Sequence, residues 1–129
     1  MNAAFLAHYA PSLHRLADDP QTAFLLCDFR GVDTLAMEFL KCRAQAVTIF
    51  HMGERPRYMP DAYRTRVSQW QLAGGYQSDV ARDTAAASAC THFLARDANS
   101  NQRRKSGTLQ NIEQCLALGK RRVSCVLSE

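Results

Sequence analysis

Three short stretches carry side chains that could do chemistry. The first is Asp28-Phe29-Arg30-Gly31-Val32-Asp33. Gly31 lets the backbone turn tightly and approach a ligand, and Asp28 or Asp33 can accept hydrogen bonds from a ribose or a base. The plain alternative for Asp33 is a helix N-cap. The second is Arg82-Asp83, either a surface ion pair or part of a pocket. The third is the run from Arg96 to Thr108, which holds Arg103, Arg104 and Lys105 and ends in Ser106-Gly107-Thr108. A helix beginning there offers unpaired N–H groups and a positive dipole end. The two hydroxyls and a glycine then suit a phosphate. Without a ligand, the same run reads as an N-cap behind a solvated basic loop. His51 closes a strand-like run and is aimed at the same edge, although a lone histidine is more often structural. Arg55, Arg57 and Tyr58 could cover a ligand. Trp70 and Tyr76 could stack on a base, although a single tryptophan more often sits in the core.

Four apolar runs must position these groups: residues 22–28 (TAFLLCD), 46–51 (AVTIFH), 91–95 (THFLA) and 122–127 (RVSCVL). They are short and nearly unbroken, the pattern of strands covered on both faces. Helical periodicity falls between them. Residues 34–43 carry Leu35, Phe39 and Cys42 on one stripe. Residues 78–90 carry Val80, Ala81, Ala85 and Ser88. Residues 108–118 carry Leu109, Ile112, Cys115 and Leu116, with Gly119 and Lys120 as the C-terminal cap. Alternating strands and helices predict a parallel or mostly parallel sheet of four or five strands with helices on both faces. Ligands then bind at the carboxyl ends of the strands. Residues 1–19 read mostly as helix around Pro11, with a strand over residues 3–8 as the alternative. Residues 53–77 show no clear period and are too long for a simple connection.

The chain has 129 residues, 47% of them hydrophobic and 22% charged, which is one domain's worth with enough apolar material for a core. No apolar stretch approaches the roughly 20 residues of a membrane span. The net charge is +4, mostly from arginine. That excess suits an anion pocket as well as nucleic acid. A nucleic-acid partner is disfavoured because no aromatics interleave with the basic clusters. The five cysteines (Cys27, Cys42, Cys90, Cys115 and Cys125) are odd in number and form no CxxC pair. They read as reduced, mostly buried thiols of a cytoplasmic protein, with no metal site.

The stretches RGVDTLAMEFL (30–40), VTIFHMGERPRY (47–58), GGYQSDVARD (74–83) and KSGTLQNIEQCLALGK (105–120) together resemble the SLOG superfamily. The likeness covers roughly residues 22–127 and is nearest to its small bacterial and phage members. It implies a Rossmann-like three-layer α/β domain that binds a nucleotide or nucleotide-derived sugar-phosphate, with no cofactor or metal, and that pairs as a homodimer. The ligand-binding residues it implies are Gly31, Asp33, His51, Arg82, Asp83, Ser106, Gly107, Thr108 and Asn111. Two departures stand out. The opening residues lack the strand and Gly-Ser-Arg turn of the small members. Asn111 also stands where the hydrolytic members carry a catalytic glutamate, and an asparagine cannot serve as base or nucleophile. Binding without turnover is therefore the primary expectation. The alternative is an N-glycosidase or phosphoribohydrolase using Asp33, Asp83 or Asp28.

Overall fold

A computed structural model describes residues 3–95 and 107–123. The elements run α1 (Ala3–His8), α2 (Ala10–Ala17), β1 (Phe24–Cys27), α3 (Val32–Leu40) and β2 (Val47–Met52). A 3-10 turn (Val67–Gln69) leads to β3 (Gln71–Tyr76), followed by α4 (Asp79–Ala89), β4 (His92–Phe93), α5 (Gly107–Ala117) and β5 (Arg121–Arg122). The protein is mixed α/β and, among the described residues, every strand pairing is parallel. The strands form two sheets, β1-β2-β3 and β4-β5, where one sheet of four or five was expected. Among the described residues β4 and β5 pair only with each other, over two residues each.

The N-terminal segment is helical, which settles the choice against a strand. Pro11 falls in the first turn of α2, where its missing N–H costs nothing. Phe5, Tyr9 and Leu13 lie buried at helical spacing and join Met37, Phe39 and Leu40 of α3 over Phe24, Val47 and Ile49. This is the main core. Residues of opposite parity in β1 face the other way, where the Cys27 thiol meets Asp83 of α4. Helices thus cover both faces of the sheet.

α3 starts at Val32, not Thr34, and its N-cap is Gly31, not Asp33. Gly31 has φ +108°, a conformation that L side chains rarely adopt, so the turn out of β1 needs glycine here. Its carbonyl accepts from Leu35 N (3.1 Å) and Thr34 Oγ1 (2.8 Å). α3 also ends before Cys42, which is exposed and not part of an apolar stripe. The described cysteines are free thiols; Cys115 is buried, and Cys27 and Cys90 are partly buried. Cys125 lies outside the described residues, as does most of the expected strand 122–127.

The irregular stretch 53–77 contains β3, a strand the sequence pattern did not mark. Its residues are mostly exposed and Leu72 is half out in solvent. The β2–β3 crossover has no α-helix. Val67 and Trp70 hold it to the core instead, with Trp70 Nε1 donating to the Ala44 carbonyl at 2.8 Å. Trp70 is therefore structural, not a base-stacking ring. Tyr76 stacks on Phe50.

The buried face of α4 also differs from the expected one. Val80 is exposed, and Arg82 and Ala87 are buried. Ser78 caps the helix by accepting from Ala81 N at 3.0 Å. α5 closes as expected. Lys120 N donates to Cys115 O and Gly119 N to Leu116 O, a Schellman arrangement with Gly119 at φ +77°.

Candidate functional site

The site grows from the carboxyl end of β1. Asp28 follows the last strand residue and is fully buried. Its Oδ1 accepts from Arg82 Nη1 at 2.8 Å, and its Oδ2 accepts from the backbone N–H of Arg57 at 3.0 Å. Burial alone would raise its pKa. The Arg57 N–H and the two guanidiniums outweigh that and hold the carboxyl below its usual value.

Arg82 is 1% exposed, so it is not half of a surface ion pair. It uses every donor edge on its own fold. Nε and Nη2 grip Asp83 Oδ1 at 3.0 and 2.9 Å, and Nη1 also meets Asp79 Oδ1 at 2.9 Å. Burial opposes its charge, but the carboxylates of Asp83 and Asp28 keep it firmly protonated. Asp83 Oδ2 in turn accepts from Asn111 Nδ2 at 3.0 Å. A hydrogen-bonded chain Asp28–Arg82–Asp83–Asn111 therefore links the end of β1, through α4, to the second turn of α5. Gln114 reinforces it one turn on, donating to Thr84 Oγ1 at 3.0 Å.

Asp33 stands beside this chain. Burial pushes its carboxyl up to about 7; Asp83 adds to the rise, while Arg82 and backbone N–H groups of Phe29 and Cys27 restrain it. The Cys27 thiol is pushed up by burial and by the carboxylates of Asp33 and Asp83, so it stays neutral.

Next to the chain lies a cavity of about 860 Å³, lined by Asp28, Phe29, Gly31, Thr34, Arg57 and Tyr58, and a separate space measures about 770 Å³. The smaller value belongs to a more open groove at the ends of β2 and β3, lined by His51, Glu54, Tyr76 and Gln77. Arg57 spans the larger cavity's edge. Its Nη2 meets Asp79 Oδ1 at 2.7 Å, and its guanidinium lies 5.6 Å from the Phe29 ring centre. Arg82 lies 5.7 Å from the same ring.

Gly31, Asp33, Arg82, Asp83 and Asn111 are thus brought together. His51 is not among them. It is buried, its Nδ1 faces the Met52 carbonyl at 3.2 Å, and its ring packs on Gly74 in the separate groove. Gly107 and Thr108 open α5, while Ser106, Arg103, Arg104 and Lys105 lie outside the described residues. Asp79 was not marked by sequence reasoning; its i, i+3 spacing to Arg82 is the signal that could have found it. Glu38 was missed too. It accepts from Tyr58 and from Lys41, the latter at 2.7 Å, and these bonds hold its carboxyl below the usual range.

Among the described residues, no group of three or more His, Cys, Asp or Glu side chains is placed to hold a metal ion. No described helix is long and apolar enough to cross a membrane. The basic residues Lys120 and Arg122 after α5 are engaged by the fold: Lys120 Nζ donates to Ser88 O at 3.0 Å and Arg122 Nη2 to Ala95 O at 2.7 Å. Comparison of the chain with protein families, with curated proteins and with solved structures gave no match.

Proposed function

We propose that the chain is a SLOG-like, Rossmann-related module that binds a nucleotide or a nucleotide-derived sugar-phosphate without turning it over. The observation that carries this reading is the chain Asp28–Arg82–Asp83–Asn111, which joins the end of β1, before the Gly31 turn, to the second turn of α5, past the loop after β4. That turn and that loop are the two places where an open α/β sheet presents ligand-binding loops. Leu94, just past β4, packs against the core that contains Phe24 of β1. The ligand's phosphate then belongs at Gly107 and Thr108, with Arg103, Arg104 and Lys105 close in sequence.

Turnover is disfavoured by how the carboxylates are used. Both oxygens of Asp28 and both of Asp83 are committed to internal partners. Asn111 donates to Asp83 from the position where the hydrolytic relatives would carry a glutamate.

Calorimetric titration with ribose 5-phosphate and the nucleoside monophosphates, with free base followed chromatographically, tests the reading. Binding without base release is expected. Absence of binding by every one of them overturns it. A second reading, an N-glycosidase, is favoured by one observation, the Asp33 carboxyl held at about 7, where it could exchange a proton at neutral pH. Base release that Asp33→Asn abolishes would establish that reading instead.

A further inference from the structure

Phe29 is 50% exposed and Tyr58 38% exposed, and both line the cavity beside β1. Solvent contact of two aromatic rings forgoes burial that a ligand would restore. Leu35 adds an apolar wall. The charged groups of the lining are Asp28, Glu38, Arg30 and Arg57, two carboxylates against two guanidiniums. Asp28 and Asp79 already neutralise Arg57, and Lys41 neutralises Glu38. Only the exposed Arg30 of the lining is then left to attract a phosphate, without the converging donors of an anion site. The lining does offer the Tyr58 ring and the part of the Phe29 ring that the Arg57 and Arg82 guanidiniums leave exposed, together with hydrogen-bond acceptors and donors at their edges: the Glu38 carboxylate, the Thr34 hydroxyl and the Arg57 guanidinium. The volume, about 860 Å³, is within the ordinary range for small-molecule sites.

We propose that this cavity is a base subsite, taking an uncharged planar nitrogen heterocycle against Phe29 and Tyr58. An aliphatic occupant would leave the polar edges unmatched, and a phosphate would meet a single exposed arginine, Arg30, and no built anion site. Glu38, with each oxygen holding one partner and a spare lone pair, accepts from an exocyclic amino group or ring N–H of the base. Arg57, on the opposite charge, donates to a ring nitrogen or carbonyl. The proposal rests on the nucleotide reading above and adds to it that base and phosphate occupy different ends of the site. Asp28 belongs both to the cavity wall and to the hydrogen-bonded chain that runs to α5, so the two ends are structurally continuous.

The test compares three probes by calorimetry: nucleoside monophosphates of the four common bases, the matching nucleosides, and ribose 5-phosphate. At least one monophosphate should bind about tenfold more tightly than ribose 5-phosphate. Phe29→Ala and Tyr58→Ala should each weaken that monophosphate about fivefold or more and leave ribose 5-phosphate within about twofold. Tyr58→Phe, which keeps the ring and loses the bond to Glu38, should retain most of the affinity. Phe29→Leu replaces Phe29→Ala if circular dichroism shows the alanine variant unfolded. Nucleosides that bind in a Phe29-dependent way while ribose 5-phosphate does not would uphold the base subsite and remove the phosphate end. Equal weakening of monophosphate and ribose 5-phosphate overturns the proposal. So does failure of every nucleoside and monophosphate to bind.

Discussion

Arg82 of α4 and Asp28 at the end of β1 form a fully buried ion pair, 2.8 Å between Nη1 and Oδ1, across 54 residues of sequence. Removing one partner of such a pair leaves the other charged and unmatched, which costs about 3–5 kcal/mol. Arg82→Ala should lower unfolding stability by about that amount in urea titrations, since it strands Asp28 and Asp83 together. Arg57→Ala removes only a half-exposed side chain and keeps the backbone N–H that serves Asp28. It should cost under about 1 kcal/mol.

The two aspartates flanking the Gly31 turn have opposite pH signatures. Asp28 is held low in the folded state, so its contribution is present above its unfolded pKa and lost as pH falls through the folded value. Asp33 is held at about 7, so between its unfolded pKa near 4 and pH 7 the folded state carries the extra proton. Stability from Asp33 therefore declines as pH rises across that window and levels off above it. Asp33→Asn, an uncharged mimic of the protonated acid, should match the parent at pH 4 and exceed its stability at pH 8 by on the order of 2–4 kcal/mol. Denaturant titrations at the two pH values check both ends.

Much of this arrangement was legible from residue types, and the rest was hidden for identifiable reasons. β1 and β2 show in the sequence because both their faces are covered. β3 does not, because Gln71, Leu72, Gly74 and Gly75 face solvent or carry no side chain. The stripe on α4 was misread because its innermost residue is an arginine; a hydrophobic pattern cannot register a guanidinium buried among carboxylates. Gly31, Arg82, Asp83 and Asn111 were marked individually. Their connection through Asp28 required the parallel crossover that carries α4 back over β1. His51 does stand at the strand ends, but in the separate groove against Gly74 and outside the hydrogen-bonded chain.

That His51–Gly74 contact is itself testable. A Cβ on Gly74 would lie 2.0 Å from His51 Cε1 and 2.3 Å from Nε2. The buried imidazole would have to move. Gly74→Ala should destabilise by about 1–3 kcal/mol, the usual cost of overpacking. His51→Ala removes the obstruction, so the double variant should recover at least about 1 kcal/mol relative to the sum of the singles. Additive losses would mean that Gly74 is needed for another reason.

Gly107 separates a ligand effect from a stability effect. It opens α5, and among the described residues nothing lies within 4 Å of where its Cβ would be. An aspartate fits there without steric conflict. A carboxylate at a helix start also interacts favourably with the dipole, by about 0.3–1 kcal/mol. Gly107→Asp should therefore leave thermal stability unchanged or slightly raised. The same carboxylate would occupy the N–H groups proposed to receive a phosphate and would repel it. Affinity for ribose 5-phosphate should fall about tenfold or more, a loss of about 1.4 kcal/mol. A free nucleoside carries no phosphate and should bind Gly107→Asp and the parent equally. If calorimetry finds ribose 5-phosphate bound as tightly by the variant as by the parent, the phosphate does not sit at the start of α5.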